Sequence, residues 1–284
     1  MDAKAPAAQP ALRRLRGAPL RRARPVPRGR AGGLLFQWGQ YHSTSDFGQT
    51  FDLHQPFASR CYALLTTCSR VDVRSALAVS SRGPSSFTIN RDDTIDGSYP
   101  FYWIAIGDAG SPALTDPRQA SLGADSTILW GDATSTSDDD QTFTTPVALG
   151  AGPSAALTTV VKADVRSALS LTSFDGPGRK LIVNRHNDID GSVGFNYVGI
   201  GARTGATSTG IQRLGDFKLQ WGLPTSDSDQ EQLFMLPEAF ADMNFAVITT
   251  IASANHNQGL SLSRPVNARS FIVNRDASID GARQ

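Results

Sequence analysis

The sequence lacks most features that would indicate an enzyme, a disulfide-rich protein or a membrane protein. Its 284 residues include two cysteines, three methionines and four histidines. No apolar run approaches the ~20 residues of a membrane-spanning helix. No nucleophile-elbow, Walker or H-E-x-x-H motif is present, and the histidines show no metal-ligand spacing. The sequence therefore predicts a protein that is not an enzyme and uses no cofactor.

The scarcity of cysteine also argues against a disulfide framework. Cys61 and Cys68 are seven residues apart. On one strand that spacing separates them by ~23 Å, far beyond the ~7 Å limit for a disulfide. Stability is therefore expected to come from packing.

Charge is unevenly distributed along the chain. Residues 1–33 hold eight arginines and Lys4 against Asp2, a net +8 in a chain whose total is +1, so the remainder carries −7. This segment alternates Arg, Ala, Pro and Gly without apolar periodicity, which predicts a disordered tail. A targeting segment, a nucleic-acid arm and upstream coding sequence are the other interpretations. A basic tail on an acidic body does not indicate a nucleic-acid-binding domain.

What the sequence has in abundance is repetition. An Asn-Arg pair followed by Ile-Asp-Gly occurs at residues 90–97, 184–191 and 274–281. Each copy follows a short apolar alternation, and the first two copies precede an aromatic segment. A strand, a polar loop closing on Asp-Gly and a second strand predict a β-hairpin. A hairpin repeated at a period of ~90 residues is typical of a repeat protein.

Further landmarks recur with the same period and set the domain boundaries. Trp38, Trp130 and Trp221 each precede a glycine, and an Asp stands eight residues after each Trp. Six short strands per unit predict an all-β fold, three tandem antiparallel β-sandwiches. The predicted units span residues 34–110, 126–203 and 217–284, joined by linkers. The third unit lacks its last strand, which predicts an edge that another chain fills, that frays, or that reflects truncation.

These segments resemble the C-terminal domain of phage tail-fibre proteins. The resemblance rests on the Gln-Trp-Gly strand, the Phe-then-Pro step, the Ser/Thr strand and the closing Phe-Tyr-Trp-Ile-Ala-Ile-Gly. That domain is similar to the H-type lectins, which implies six-stranded sandwiches that trimerise and bind N-acetylgalactosamine-type sugars. In those lectins an aromatic–His pair in the loop before the last strand touches the sugar.

The resemblance places the candidate ligand-binding residues in the three Asn-Arg loops. The corresponding residues are Arg91, Asp92, Arg185, His186, Arg275 and Asp276. Only His186 keeps the lectin residue, and arginine stands where the aromatic is expected. Arg185 and His186 form the leading pair, because a guanidinium can bind the carboxylate of an acidic sugar.

Two further interpretations concern the loop aspartates and the tryptophans, and the chemistry of these side chains decides both. The loops offer the start of a calcium-loop pattern, whose candidate ligands are Asp92, Asp96, Asp188 and Asp190. An EF-hand requires a Glu at its twelfth position, where Trp103 and Tyr197 stand, so plain turns are predicted. The tryptophans lie inside apolar strands, which predicts packing residues and not sugar-stacking platforms.

The function expected from these features is non-enzymatic recognition of host-surface glycans by a tail-fibre or receptor-binding protein of a phage or prophage virion. One alternative is a structural virion component that docks onto neighbouring tail proteins, and another is a secreted, non-viral lectin. The expected partners are a surface glycan or other host receptor and other tail proteins. The three repeats predict either a single-chain pseudo-trimer or units that each join a separate trimer.

Overall fold

The computed structural model contains β-strands and no helix within the residues that it describes. These residues are 28–69, 77–91, 97–114, 116, 118–161, 169–185, 191–203, 210–215, 217–227, 231–250 and 260–275. Within these ranges no helix is long and apolar enough to cross a membrane. The all-β prediction is therefore confirmed.

The first repeat is a sandwich of seven strands. They are β1 (Arg28–Ala31), β2 (Leu34–Ser43), β3 (Gln49–Asp52), β4 (Cys61–Cys68), β5 (Leu77–Arg82), β6 (Ser86–Arg91) and β7 (Tyr99–Asp108). One sheet has the order β1-β2-β7-β4 and the other has the order β3-β6-β5. Both sheets are antiparallel. Their inner faces enclose a core of apolar side chains.

The second repeat has the same topology. Its strands are β8 (Gln119–Leu122), β9 (Ser126–Ser135), β10 (Gln141–Thr144), β11 (Ala155–Val161), β12 (Leu169–Asp175), β13 (Lys180–Arg185) and β14 (Val193–Ala202). The two sheets have the orders β8-β9-β14-β11 and β10-β13-β12. The repetition read from the sequence is thus a repetition of structure.

The third repeat has five strands among the described residues. They are β15 (Ile211–Leu214), β16 (Phe217–Gln220), β17 (Gln232–Met235), β18 (Leu260–Asn267) and β19 (Ser270–Arg275). The sheet β17-β19-β18 matches its counterparts in the other repeats, whereas the second sheet is reduced to the pair β15-β16.

Two details of the strand prediction are wrong. The strands on either side of the Asn-Arg loop do not form a hairpin, because β6 pairs with β3 and β5 while β7 pairs with β2 and β4. β6 and β7 therefore belong to different sheets. Each strand carries an apolar alternation that suits either sheet, so alternation alone did not distinguish pairing from crossing.

The unit boundaries begin earlier than predicted. β1, β8 and β15 lie in the segments assigned to the tail and to the linkers, and each pairs with the Trp-containing segment that follows it. The first hairpin turns at Gly32 and Gly33, with φ of 55° and 83°. Two consecutive positive φ angles are the requirement of the tight I′ turn, and glycine meets it without steric cost. Residues 1–27 lie outside the described part.

The three repeats contact one another in a closed cycle through their threonine-rich segments. In each contact the backbone amide of one threonine donates to the hydroxyl of a threonine in the next repeat. The pairs are Thr66 to Thr159 at 3.4 Å, Thr158 to Thr250 at 3.1 Å and Thr249 to Thr67 at 3.0 Å. The first repeat donates to the second, the second to the third, and the third to the first.

The tryptophans next to the glycines join the same three repeats in the opposite order. Trp38 donates its indole N–H to the carbonyl of Asn244 at 3.1 Å, and Trp221 donates to Pro153 at 3.2 Å. Trp130 stacks on Tyr62 with ring centroids 5.1 Å apart. Their surroundings form one apolar cluster with side chains from all three repeats. The three sandwiches therefore share a central core.

The first two repeats are also joined by charge. The guanidinium of Arg82 donates to both carboxylate oxygens of Asp132, at 2.8 and 2.7 Å, and to the Asn196 side-chain oxygen at 2.8 Å. Asn196 is buried and accepts the backbone amide of Leu64 at 3.2 Å through the same oxygen. Both Asp132 oxygens accept from Nη2, whereas Asn196 accepts from Nη1, so one guanidinium holds two groups of the second repeat.

Candidate functional site

Each complete sandwich has a loop cluster at the end where its Asn-Arg pair lies. In the first repeat, β2 ends at Ser43 and β6 ends at Arg91, so residues 44–48 and the Asn-Arg loop leave the fold at the same end. The side-chain oxygen of Asn90 accepts the backbone amide of Gly48 at 2.7 Å. The buried Asn90 thus anchors the neighbouring loop to β6.

Arg91 connects the two loops from the inside. Its side chain is 3% exposed and pairs through Nε with the Asp46 carboxylate at 2.7 Å. Its Nη1 donates to the carbonyls of Ser43 at 3.2 Å and Gly97 at 2.5 Å. A buried guanidinium is tolerated only when a carboxylate and other acceptors surround it. Arg91 is therefore a clamp that ties Ser43, Asp46 and Gly97 to the end of β6.

The second repeat contains the same clamp. Arg185 is 6% exposed on its side chain and pairs with Asp138 at 2.6 Å. It also donates to the carbonyl of Gly191, the counterpart of Gly97. Asn184 donates to the Asp140 carboxylate at 3.0 Å. Two independent copies of the clamp show that the Asn-Arg motif and the aspartate eight residues after the Trp act together.

The placement of the candidate residues differs from the sequence expectation in one respect. Arg91 and Arg185 were expected at the ligand surface, but their guanidinium groups are turned inward, where Arg91 bonds to Asp46 and Gly97 and Arg185 bonds to Asp138 and Gly191. The backbone of Arg275 ends β19, and its side chain lies outside the described part. Asp92, His186 and Asp276 also lie outside the described residues. A ligand contact from these three loops stays a prediction.

The metal-ligand candidates Asp92, Asp96, Asp188 and Asp190 lie outside the described residues too. Across the ranges that the structure does describe, no group of three or more His, Cys, Asp or Glu side chains is arranged to hold a metal ion.

The outer face of the first loop cluster carries an aromatic side chain that the sequence reasoning missed. Phe47 follows the clamp aspartate Asp46 and is 76% exposed. It lies within residues 44–48, where the Ser45 hydroxyl donates to the Phe47 carbonyl at 3.0 Å. We call residues 44–48, with the exposed Phe47, the repeat-1 tip. Phe47 has no aromatic counterpart in the other repeats. Recurring positions therefore did not indicate it.

The equivalent tip of the second repeat is acidic. Asp139 occupies the position of Phe47 and is exposed between Asp138 and Asp140. The same clamp therefore supports two surfaces of different chemistry, one aromatic and one carboxylate-rich. An exposed aromatic ring can stack on an apolar ligand face, and neighbouring hydroxyl groups can hydrogen-bond to the ligand's edge.

The tryptophans do not provide such a surface. Trp103 is 0% exposed and Trp130 is 3% exposed, and Trp38 and Trp221 are partly buried in the central cluster. The prediction that the tryptophans are packing residues is confirmed.

The second repeat also has an open groove with a volume of about 530 Å³. It is lined by β8, the start of β9, residues 146–148, Arg179 and Arg203. The guanidinium of Arg179 donates to the Thr145 carbonyl at 2.9 and 2.7 Å, so it supports the groove wall. Arg203 is exposed.

The cysteines have no part in this chemistry. Cys61 and Cys68 are reduced thiols buried on β4. Burial in an apolar environment raises the pKa of each thiol from 9.0 to about 12. Neither thiol is ionised near neutral pH, so neither is a nucleophile.

Comparison with known proteins supports the resemblance for the first repeat. Residues 29–108 match the family described as "Putative tail fiber protein gp53-like, C-terminal". The matched range contains the first sandwich, from β1 to β7. The resemblance to tail-fibre C-terminal domains is thus confirmed for this range.

Among solved structures, the chain is similar to the C-terminal part of the R2 pyocin fibre of P. aeruginosa. The identity is 16% and the TM-score is 0.25, and the likeness covers 29% of this chain and 26% of that chain. The chain thus spans about a quarter of the length of that structure. The comparison with curated protein sequences found no match.

Proposed function

We propose that this chain is a recognition module of a phage or phage-like tail fibre and binds host-surface glycans through the loop ends of its sandwiches. The observation that carries the proposal is the exposed aromatic repeat-1 tip on a domain that matches a tail-fibre C-terminal family. The proposed function is binding, in which no covalent bond is made or broken.

The clamp supports this proposal because it fixes the loops before any ligand arrives. Arg91, Asp46 and Asn90 hold residues 44–48 against β6. A loop that is already ordered loses little conformational entropy when it binds. Recognition loops on a rigid sandwich are a common arrangement for this reason.

The repeat-1 tip suits a sugar. The C–H groups on one face of a pyranose are apolar and can pack on the ring of Phe47, while hydroxyls at the sugar edge can bond to the polar groups of residues 44–48. Leaving an aromatic ring 76% exposed to water has no packing benefit within the chain. A ligand that covers the ring would recover that apolar contact.

We further propose that the three repeats of one chain form a single-chain pseudo-trimer. The closed cycle of threonine contacts and the shared central cluster support it. Multi-angle light scattering should give a mass near 30.3 kDa, the mass of one chain. A stable species of about three times that mass would show that the repeats join separate trimers instead.

Glycan binding by the full chain and by two variants tests the main proposal. On a glycan array followed by calorimetry, Phe47→Ala should weaken binding at least tenfold, because the stacking face is lost, while Phe47→Tyr should retain it. Leu233→Ala, which removes another exposed apolar side chain, is the matched surface control. Equal binding by Phe47→Ala and the intact chain would place the site elsewhere.

The same measurements separate the alternatives. A chain that binds no glycan but co-assembles with tail proteins through residues 1–33 would be a structural virion component, as the concentration of positive charge there would suggest. Glycan binding without association with any tail protein would favour a non-viral lectin.

A further inference from the structure

The open groove of the second repeat lies at the end of the sandwich opposite the Asn-Arg loop. Arg179 directly precedes β13 and Arg203 directly follows β14, whereas the Asn-Arg loop follows the end of β13 and precedes β14. A volume of about 530 Å³ is in the range of ~300–1,000 Å³ that is usual for small-molecule sites. The groove is therefore large enough for a ligand and separate from the loop ends.

In the first repeat, a side-chain bridge crosses the equivalent place. By strand register, Arg28 on β1 is the counterpart of Gln119 on β8. Gln55 and Val147 each stand seventeen residues after the tryptophan of their repeat, so they too are counterparts. The Arg28 guanidinium donates to the side-chain oxygen of Gln55. This bond spans the crevice between β1 and the segment that follows β3.

The third repeat bridges the same place with an ion pair. Glu238 stands seventeen residues after Trp221 and is the counterpart of Val147. By strand register, Arg213 on β15 is the counterpart of Ser121 on β8. The Arg213 guanidinium donates to the Glu238 carboxylate. Two of the three repeats thus close this crevice with their own side chains.

Among the residues that the structure describes, the second repeat has no such bridge. Ser121 and Val147 have short side chains. The longer Gln119 donates its amide to the Asp116 carboxylate at 2.9 Å, within its own segment. The groove is open because none of these side chains reaches across it.

Arg179 supplies a positive charge that is fixed on one wall of the groove. Its Nε and Nη2 both donate to the Thr145 carbonyl, which leaves the Nη1 hydrogens available to a ligand. A guanidinium that is already held in place loses little conformational freedom on binding. Arg179 is therefore arranged to receive an anion.

Arg203 adds a second positive charge, which the first repeat lacks at this position. Its backbone amide donates to the Asp125 carbonyl at 2.8 Å, as the amide of Ala109 donates to the Gly33 carbonyl at 3.0 Å. The same backbone position thus carries a methyl group in the first repeat and a guanidinium in the second. Within the described part of the chain, neither groove arginine is paired with a carboxylate, and no acidic residue lines the groove.

We propose that this groove binds an acidic sugar whose carboxylate is held by the guanidinium groups of Arg179 and Arg203. A planar guanidinium matches the two oxygens of a carboxylate. A carboxylate alone would leave most of the groove volume unfilled, whereas a sugar ring occupies that volume and presents hydroxyls. Ser121 and Thr127, which also line the groove, supply side-chain hydroxyls that can bond to them.

This second site goes beyond the glycan binding proposed for the loop ends. It lies at the other end of the fold and uses charge in place of an exposed aromatic ring. The groove and the repeat-1 tip share no residue. Each site can therefore lose its ligand while the other site keeps its own.

Calorimetry on the full chain tests the assignment, with digalacturonic acid as the probe and its uncharged methyl ester as the matched ligand. The acid should bind at least tenfold more tightly than the ester, because only the acid offers carboxylates to the arginines. No binding at millimolar acid, or equal binding of the two ligands, would overturn the proposal. So would inorganic phosphate that binds as tightly as the acid, since the groove would then be a general anion site.

Two changes to the groove should remove that binding. Arg203→Ala should weaken binding of the acid at least tenfold. Arg269→Ala is the matched control and should not, because Arg269 precedes β19 as Arg179 precedes β13 but lies in the bridged third repeat. Ser121→Arg combined with Val147→Glu rebuilds the bridge of the third repeat and should also weaken binding at least tenfold. Unchanged affinity in Arg203→Ala would contradict the proposal.

The Phe47→Ala variant separates this site from the loop ends. It should bind digalacturonic acid as tightly as the intact chain does. A loss of binding in Phe47→Ala with none in Arg203→Ala would move the acid to the repeat-1 tip and overturn the groove assignment, while the glycan proposal would stand.

Chemical modification locates the bound acid without a variant. Phenylglyoxal reacts with accessible arginines, and both Arg203 and Arg269 are exposed. Bound digalacturonic acid should protect Arg203 and leave Arg269 reactive, as read by peptide mass spectrometry. Equal modification of Arg203 with and without the acid would place the ligand elsewhere.

Discussion

The centre of the molecule and its loop ends use repetition differently. At the centre, the threonine contacts and the tryptophans recur in all three repeats and close a cycle. At the loop ends, the clamp recurs in the first two repeats, but the residue after its aspartate changes from Phe47 to Asp139. The features that recur in all three repeats therefore belong to packing. The residue that differs between the two clamps lies on the surface that can carry recognition.

The largest expected effect comes from the core of one sandwich. Trp103 is 0% exposed and contacts Phe87, with ring centroids 5.4 Å apart. Trp103→Ala should lower the free energy of unfolding by about 3–5 kcal/mol, the usual cost of removing a buried large aromatic. Urea unfolding followed by circular dichroism measures it. A loss below about 1 kcal/mol would mean that the first core tolerates the cavity.

The clamp should have the next largest effect. Arg91→Ala leaves Asp46 without its ion pair and should cost about 2–3 kcal/mol, because charge-assisted bonds in a part-buried site are removed. Arg203→Ala, at an exposed arginine, is the control and should change stability by less than about 0.5 kcal/mol. Equal unfolding midpoints for the two variants would show that the clamp contributes little.

A single contact of the central cycle should have a smaller effect. The hydroxyl of Thr67, which is 4% exposed, accepts the amide of Thr249. Thr67→Val keeps the shape and removes that acceptor, at a cost of about 1 kcal/mol. Thr142→Val on the exposed face of β10 is the matched control. If both substitutions were neutral by differential scanning calorimetry, the cycle would be held by apolar packing alone.

The smallest effect near neutral pH concerns the buried thiols. Because burial raises the pKa of Cys61 and Cys68 to about 12, neither should react with a disulfide reagent at pH 8 until the chain unfolds. The stability that these protonated thiols contribute is present below pH 9.0 and is lost as the pH rises toward about 12. Rapid labelling of the native chain would contradict their placement.

The sequence predicted the features that depend on local pattern. Short alternating strands gave the all-β class, and the spacing of Trp38, Trp130 and Trp221 gave three units whose tryptophans pack inward. Those conclusions needed only residue type and period. The strands β1, β8 and β15 were missed because four residues in an Arg-, Gly- or Ser-rich context carry too little apolar pattern.

The interior position of Arg91 and Arg185 could not be read from local pattern. Each pairs with an aspartate more than 40 residues earlier, a partner 45 positions away for Arg91 and 47 for Arg185. Both halves of the pair recurred in the sequence, so their joint recurrence was the signal that could have found the clamp. Exposure of Phe47 is a tertiary property and had no such signal.

The closed cycle has a consequence for how the chain reaches its native state. The contact from Thr249 to Thr67 joins residues 182 apart, and the bond from Trp38 to Asn244 joins residues 206 apart. Contacts between such distant residues form slowly, because the entropy of the intervening chain is lost before the contact is gained. During synthesis the Trp38 face of the first sandwich therefore lacks its contact until the third repeat has been made. We expect refolding to show a late phase in which the fluorescence of the buried tryptophans changes after the β-structure has formed.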